Sequence, residues 1–237
     1  MRLTNSMEIV ENCQDCKMKS NHFFCSLSTA TLKAFQEVKF AMLYPRGTVL
    51  FSEEEAARGV FMLCKGRVKV SIASADGKTL ILRIAHPGEL LGLHAVVSGK
   101  PYMATAEALE PCQIDFVKSA DFTRFMRERG DAALRVAQQL SANYQSACDQ
   151  ARTLGLNNSM PQKMARFLLQ LSGNGSNSAT SSRVKLTLTQ EEIGQMIGAS
   201  RETVSRTLAE FKGQQLAIVR GATLVIPNRS MLESMAA

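Results

Sequence analysis

The sequence predicts an α+β protein in which a strand-rich N-terminal half is followed by a long helix and a smaller helical unit. Three observations predict this order. Short β-favouring runs alternate with glycine-containing turns from residue 45 to residue 88, and small or apolar residues then recur at helical spacing from residue 137 to residue 154. Two short capped helical patterns and a hairpin pattern follow. A chain of 237 residues can form two cores of this kind.

The strand-rich half is predicted to begin with a short amphipathic helix and to continue as an antiparallel barrel or sandwich. Leu32, Phe35 and Val38 are at helical spacing between residues 28 and 40. Asp76 and Gly77 form a favourable hairpin turn. Regular short strands with glycine turns are typical of this architecture, and the predicted strands are Thr48–Phe51, Val60–Leu63, Val68–Ile72 and Leu80–Ile84.

A long helix is predicted from about Asp131. Six of its residues alternate at spacings of three and four, which predicts an a/d seam of nearly three heptads. The seam pairs with a second copy of the chain or packs on the chain's own sheet. It consists of Ala137, Leu140, Tyr144, Ala147, Ala151 and Leu154. The stretch 156–159 breaks the helical pattern and predicts a hinge between domains.

The C-terminal part predicts a helix-turn-helix with a wing. Thr189 and Glu192 have the spacing of a capping box, and Ser200 is placed to cap a second helix after a tight turn at Gly198. Two helices joined by a short glycine-containing turn form a helix-turn-helix. The β-favouring runs 216–220 and 223–226 then predict a hairpin, while 172–182 has the composition of a flexible loop.

The outer face of the second helix has side chains suited to reading DNA. Arginine can donate two hydrogen bonds to guanine, and glutamate can accept one from cytosine. The alternative is an ordinary helical hairpin whose Glu202 and Arg206 form an ion pair one turn apart. The candidate DNA-binding residues are Ser200, Arg201, Glu202, Thr203, Ser205 and Arg206.

Charge and composition limit the possible functions. A net charge of +7 and a pI of about 9.2 favour a polyanionic partner. The N-terminus lacks a signal-peptide pattern, and no run reaches 18 apolar residues, so we expect a cytoplasmic location without a membrane partner. Catalytic constellations of the Ser-His-Asp or paired-carboxylate type are absent from the sequence, and we do not expect an enzyme.

Three cysteines near the N-terminus, Cys13, Cys16 and Cys25, are spaced to hold one metal centre from a loop. A Cys-x-x-Cys pair can also bind zinc or act as a redox dithiol. A small thiol redox enzyme is the competing functional class, but no strand pattern precedes Cys13 as such an enzyme requires. We interpret Cys64 as a buried small hydrophobic residue and assign no role to Cys148.

The segment from Gly198 to Arg206 is close to the signature of the Crp/Fnr family of bacterial transcription regulators, and the turns near Gly47, Gly66 and Gly88 resemble cyclic-nucleotide-binding domains. The resemblance implies a homodimer that binds double-stranded DNA with an inverted-repeat site, and RNA polymerase as a further partner. It implies a cysteine-bearing segment at 1–27, a β-roll sensor domain at 28–124, a dimerisation helix and hinge at 125–157, and a winged helix-turn-helix at 158–237.

The resemblance also suggests what the sensor domain detects. The ribose-capping turn of the cyclic-nucleotide branch aligns with Gly92, Leu93 and His94, and its phosphate-gripping Arg-Ser pair aligns with Tyr102 and Met103. Because neither of these supplies a charge for a phosphate, we do not expect a cyclic nucleotide. In the oxygen-sensing Fnr branch, four cysteines hold a [4Fe–4S] cluster, and the matching residues are Cys13, Cys16, Cys25 and Cys112. A zinc or dithiol switch, or a small molecule in the β-roll, is the alternative.

The DNA-reading residues resemble two branches of the family. Glu202, Ser205 and Arg206 match the Fnr branch, whose half-site is TTGAT. Arg201 resembles the Crp branch, whose half-site is TGTGA. The two half-sites share TGA, which we therefore expect in the target.

Overall fold

The structure is a computed structural model that describes residues 9, 12, 13, 16, 24–156, 159–173 and 182–236. It divides into two compact units. The first comprises Met1–Lys78 and Leu82–Ser146, and the second comprises Thr79–Ile81 and Ala147–Ala237. Part of the predicted hinge, at 157–158, and most of the predicted flexible loop lie outside the described residues. None of the helices in the described ranges is long and apolar enough to cross a membrane.

The first unit contains a β-roll of two four-stranded sheets in which the paired strands run antiparallel. The strand orders are β1-β8-β3-β6 and β2-β7-β4-β5. This confirms the predicted α+β class with an antiparallel N-terminal roll. The strands are β1 (Phe40–Tyr44), β2 (Val49–Phe51), β3 (Gly59–Lys65), β4 (Val68–Ala73), β5 (Thr79–Ala85), β6 (Leu90–Leu91), β7 (Thr105–Ala108) and β8 (Cys112–Lys118).

Four helices accompany the roll, after a short 3₁₀ turn at Phe24–Ser26. Ser28 caps α1, because its hydroxyl accepts a hydrogen bond from the Thr31 amide at 3.2 Å. The helices are α1 (Thr29–Val38), α2 (Leu93–Ser98), α3 (Ser119–Glu128) and α4 (Gly130–Gly155). The helix α4 has 26 residues and confirms the predicted long helix.

Strand alternation divides the core of the first unit in two, because successive side chains point to opposite faces of a sheet. Val60 and Met62 of β3 contribute to one cluster, the helix-side core, together with residues of α1, α3 and α4. Phe61 and Leu63 of the same strand contribute to the other cluster, the roll-interior core. A residue's position on a strand therefore decides which of the two cores it enters.

One polar residue completes the contact of α4 with the roll. Gln139 is buried on the inner face of α4, between apolar neighbours such as Val136. Its side-chain oxygen accepts from the Leu90 amide at 3.0 Å, and its side-chain nitrogen donates to the Leu90 carbonyl at 2.8 Å. Both polar groups of this side chain are therefore satisfied in a buried position, as burial requires.

The second unit has the predicted winged helix-turn-helix, with a third strand that the sequence analysis did not predict. The sheet order is β10-β11-β9, so the predicted hairpin is present and β9 extends it. The elements are α5 (Met160–Leu171), β9 (Ser182–Lys185), α6 (Gln190–Ile197), α7 (Arg201–Gly213), β10 (Ile218–Arg220), β11 (Thr223–Ile226) and α8 (Arg229–Ala236).

Candidate nucleic-acid interface and cysteine site

The turn between α6 and α7 depends on a close approach of backbone to backbone. Thr189 and Glu192 form the predicted capping box of α6, with the Glu192 amide 3.1 Å from the Thr189 hydroxyl. The helix ends at Gly198, whose φ of 70° is in the left-handed region. A Cβ atom on Gly194 would lie 2.5 Å from the Ala199 carbonyl oxygen. Glycine at position 194 therefore allows the tight turn that sets the direction of α7.

The helix α7 has one buried face and one exposed face. Its inner side chains, Val204, Thr207, Leu208 and Phe211, are buried. The exposed face carries Arg201, Glu202, Ser205 and Arg206, which line one open depression together with Gln190 and Ala209. No ion pair between Glu202 and Arg206 is found within the described ranges, and the charge that acts on Glu202 is that of Arg201.

The first turn of α7 contains two hydroxyl groups that cap the helix and one exposed carboxylate. The Ser200 hydroxyl accepts from the Thr203 amide at 3.2 Å, and the two hydroxyls are also 3.2 Å apart. Ser200 and Thr203 are thus engaged in the helix cap. Hydrogen bonds from its own amide and from Ser200 hold the pKa of the Glu202 carboxyl below its usual range. Glu202 is therefore an ionised hydrogen-bond acceptor at neutral pH.

Two family models match the chain in the places where the structure has a β-roll and a helix-turn-helix. A cyclic nucleotide-binding domain matches residues 41–129. A Crp-like helix-turn-helix domain matches residues 162–235. The chain belongs to the Crp/Fnr family of transcription regulators. The predicted family is confirmed, and this Crp/Fnr protein is a DNA-binding transcription regulator.

A curated relative agrees with this assignment, and solved structures share the fold. The chain is 29% identical to a cAMP-activated global transcriptional regulator of Pasteurella multocida over 77% of this chain and 88% of that protein. FixK2 from Bradyrhizobium japonicum is similar in structure, with a TM-score of 0.74, 24% identity, and coverage of 84% of this chain and 98% of that one. A CooA mutant from Carboxydothermus hydrogenoformans is also similar in structure, with a TM-score of 0.75, 21% identity, and coverage of 100% of this chain and 98% of that one.

An aromatic side chain fills the roll at the position that the resemblance aligns with the phosphate-gripping pair of the cyclic-nucleotide branch. Tyr102 is buried, and its ring stacks on Phe51 with centroids 4.0 Å apart. Its hydroxyl donates to the Gly59 carbonyl at 2.7 Å and accepts from the amides of Arg58 and Gly59, each at 3.1 Å. The neighbouring Met103 is 61% exposed. Neither side chain offers a free donor to a phosphate inside the roll.

The predicted dimer seam of α4 is largely exposed within a single subunit. Tyr144 is 74% exposed, and Ala137, Ala147 and Ala151 are also exposed. Leu140 is half-buried against the helix-side core. Leu154 is half-buried as well, and its Cδ2 lies near Gly198. The middle of the seam is therefore uncovered by its own subunit and is available for pairing.

The three N-terminal cysteines lie close together beside the helix-side core. Cys13 and Cys25 pack against this core, and both interact electrostatically with Cys16. The Cys13 sulfur is 4.0 Å from Asp115 Oδ2, which accepts a hydrogen bond from Lys39 Nζ at 2.6 Å. The structure therefore brings together three of the four predicted cluster ligands next to a buried ion pair.

Burial controls the ionisation of these groups. Burial raises the pKa of the Cys25 thiol to about 12, and the nearby Cys16 and Cys13 add to the rise. Burial also raises the pKa of Cys13, although Lys39 opposes it. For Lys39, burial favours the neutral amine, but the hydrogen bond and charge of Asp115 outweigh it and raise its pKa. At neutral pH, Cys13 and Cys25 are therefore protonated beside a charged Lys39.

Cys112 lies apart from the other three predicted ligands. It belongs to the roll-interior core, and its thiol donates to the carbonyls of Glu110 and Arg67 at 3.1 and 3.4 Å. Within the described ranges, no three His, Cys, Asp or Glu side chains are already arranged to hold a metal ion. The predicted set Cys13, Cys16, Cys25 and Cys112 therefore does not fit a [4Fe–4S] cluster in this arrangement, because one ligand is in a different core.

The sequence analysis missed Cys64 as a neighbour of the N-terminal cysteines. Cys64 packs against the same helix-side core as Cys13 and Cys25. The alternation of β3 could have indicated this, because Cys64 is two residues after Met62 and four after Val60, which both contribute to that core. The sequence did not show which strand the three N-terminal cysteines face. The alternation of β3 therefore could not be connected with them.

Proposed function

We propose that this Crp/Fnr regulator acts as a homodimer on an inverted-repeat DNA site, with Arg206 and Glu202 reading one G·C pair in each half-site. The exposed reading face of α7 is the observation that supports the proposal. A two-fold dimer presents two recognition helices about 34 Å apart, one helical turn of DNA. The seam of α4 is the proposed pairing surface, and RNA polymerase is the proposed further partner on the promoter.

The test is binding of the purified protein to a TTGAT-N4-ATCAA duplex, followed by fluorescence anisotropy. We expect saturable binding of one dimer per duplex and loss of binding when the G·C pair of both half-sites is replaced. A duplex with one half-site deleted is the control. Equal affinity for the intact and the half-deleted duplex would contradict binding as a two-fold dimer.

We further propose that the N-terminal cysteines make this regulator respond to oxygen or another oxidant. The supporting observation is that Cys13, Cys16 and Cys25 lie together beside α1, whose first turn is bonded to the start of α4. Thr31 donates to Asp131 at 2.8 Å, and the Ser28 amide donates to the same carboxylate at 3.3 Å. Cys25 is three residues before Ser28, and these two hydrogen bonds join the first turn of α1 to the helix that carries the proposed dimer seam.

The redox proposal is tested by DNA binding of protein purified without oxygen, before and after exposure to air. We expect the affinity for the inverted repeat to differ between the two states by at least tenfold. Addition of cAMP to each state is the control, because several relatives are cAMP-activated. An affinity that changes with cAMP and not with air would overturn the redox proposal and favour a small molecule in the β-roll.

A further inference from the structure

Strand alternation places Cys64, and not Cys112, on the side of the sheet that faces the N-terminal cysteines. On β8, Val117 contributes to the helix-side core and Ile114 to the roll-interior core. Cys112 is two residues from Ile114 and shares its face. On β3, Cys64 shares the helix-side face. The two candidate thiols therefore lie on opposite faces of one sheet.

The surroundings of Cys112 leave no space for a metal atom on the side of Gly66. A Cβ atom added to Gly66 would lie 2.6 Å from the Cys112 sulfur. Both carbonyls that accept from this thiol belong to neighbouring turns, at Arg67 and Glu110. A buried thiol with two backbone acceptors is a satisfied small core residue.

Cys64 is close to the groups that surround the N-terminal cysteines. It interacts with Asp115, Lys39 and Cys13, and its sulfur is 3.8 Å from the Met62 carbonyl. The pairing register of β3 with β8 shifts between Leu63 and Lys65. Cys64 therefore lies at an irregularity in the β3–β8 pairing. Its side chain can change direction there without the loss of a regular backbone hydrogen-bonded pair.

A second observation at the same place indicates a missing group. Asp115 is fully buried, and its Oδ2 is engaged by Lys39. Its Oδ1 has no hydrogen-bond partner among the atoms that the structure describes. A buried carboxylate oxygen without a partner is costly and points to a ligand, ion or donor that completes the site.

We infer that Cys13, Cys16, Cys25 and Cys64 are the four ligands of one thiophilic metal centre, a zinc ion or an iron–sulfur cluster, and that Cys112 is not a ligand. Both kinds of centre are held by four cysteine thiolates. The inference deepens the redox proposal, although metal binding itself does not depend on that proposal. Lys39 lies where its charge offsets the excess negative charge that four thiolates bring to either centre.

The mode of binding follows from the chemistry of the ligands. Each thiol loses its proton to the solvent as its sulfur bonds to the metal, so binding releases protons and involves no oxidation of the cysteines. The four sulfur atoms must also move closer together than they are in the structure, since the described residues show no preformed metal geometry. Cys13 and Cys16 belong to no strand or helix, so their sulfur atoms can move without breaking a sheet ladder.

The experiment is a Co²⁺ titration of the reduced full-length protein under exclusion of oxygen. The sulfur-to-cobalt charge-transfer absorbance is proportional to the number of thiolates bound. We expect Cys64→Ser to lose about a quarter of the wild-type absorbance per bound Co²⁺, in proportion to one lost thiolate of four. Cys112→Ser and the matched control Cys148→Ser should keep all of it. Loss in Cys112→Ser with full absorbance in Cys64→Ser would overturn the inference, as would a wild-type protein that does not bind Co²⁺.

Differential alkylation of the wild-type protein gives a second measurement that does not depend on folding of a variant. We expect bound Co²⁺ to slow alkylation of Cys13, Cys16, Cys25 and Cys64 at least tenfold, and to leave the rates of Cys112 and Cys148 unchanged. Iron, sulfide and zinc contents of protein purified without oxygen then identify the natural centre. Protection of Cys112 instead of Cys64 would contradict the assignment.

DNA binding separates this inference from the proposed function. If the four cysteines bind Co²⁺ and removal of the natural metal leaves affinity for the inverted repeat unchanged, the metal site is supported and the redox proposal fails. If air changes DNA affinity while Cys64→Ser behaves as the wild-type protein in the cobalt titration, the redox proposal is supported and the Cys64 assignment fails.

Discussion

Replacement of Arg206 by alanine should weaken DNA binding in a base-dependent manner. Arg206 is exposed on α7, one turn after Glu202, in the depression that forms the proposed reading face. A bidentate arginine–guanine contact contributes about 1–3 kcal/mol of discrimination. A dimer makes the contact twice, so the total is about 2–6 kcal/mol, which is a loss of at least about 30-fold in affinity. The loss should vanish on a duplex that already lacks both G·C pairs.

Arg201→Ala is the matched control, because Arg201 lies in the same depression but at the start of the helix. We expect Arg201 to bind a phosphate, so its removal should weaken binding to all sequences alike. The slope of log affinity against log salt should fall by about 0.9 for each phosphate that the variant no longer neutralises. Anisotropy titrations of both variants at several salt concentrations, on intact and single-base-changed duplexes, measure both effects. If Arg201→Ala changes base preference and Arg206→Ala weakens every duplex equally, the assigned roles are reversed.

Three further predictions concern the dimer seam, the roll and the start of α4. Tyr144→Glu should shift the protein from dimer to monomer at low micromolar concentration in analytical ultracentrifugation, because it places unpaired charges at the seam. The control Gln145→Glu, at an exposed residue outside the seam, should remain dimeric. A dimeric Tyr144→Glu variant would exclude this seam. Tyr102→Phe should lower the free energy of unfolding by about 2–4 kcal/mol in urea titrations, because the buried amide and carbonyl of Gly59 and the part-buried amide of Arg58 lose their partner. Tyr44→Phe is the control, since the Tyr44 hydroxyl is 3.7 Å from the Met42 sulfur, and it should cost less than about 0.5 kcal/mol. Equal costs would refute the role of the Tyr102 hydroxyl. Burial opposes ionisation of Asp131, but hydrogen bonds from Thr31 and Ser28 outweigh burial and lower the pKa of Asp131. These bonds stabilise the fold at pH values above the pKa of the carboxyl in the unfolded chain, and their contribution is lost as the pH falls through the pKa in the folded chain. Asp131→Asn should therefore make the free energy of unfolding fall less steeply at acid pH, and an unchanged pH dependence would refute the role of Asp131.

The helix-turn-helix and its hairpin could be predicted because their signals are local. A capping residue and its partner are three positions apart, as with Thr189 and Glu192, and the structure has both hydrogen bonds of that box. The strand β8 had no such signal. It carries buried Gln113 and Asp115, which interrupt the apolar pattern that identifies a strand. The partner of Asp115 is Lys39, which is 76 residues away in sequence, so the reason for the burial of Asp115 appears only in the folded chain.

The cysteine site shows the same limit. The spacing of Cys13, Cys16 and Cys25 predicted that they lie together, and the structure brings them together. To choose a fourth cysteine for the proposed metal centre, one must know which face of a distant strand lies next to the three N-terminal cysteines. Cys64 and Cys112 are both near a strand end, and only the assembled sheet shows that Cys64 faces the helix-side core.

The cysteine Cys25 is connected to α4 by a short stretch of chain and by hydrogen bonds at the start of α1. Cys25 is in the turn just before Ser28, and Ser28 both caps α1 and donates its amide to Asp131 at the start of α4. Eight residues further along α4, Gln139 is fixed to the edge strand β6 by two hydrogen bonds. The first turns of α4 are thus attached at one point to α1 and its cap, and at another to the roll. A displacement of Cys25 that tilts α1 must break the bonds to Asp131 or rotate the start of α4 about the Gln139 contact. Because the proposed dimer seam begins at Ala137 on the same helix, either outcome would change the pairing that we propose for two subunits.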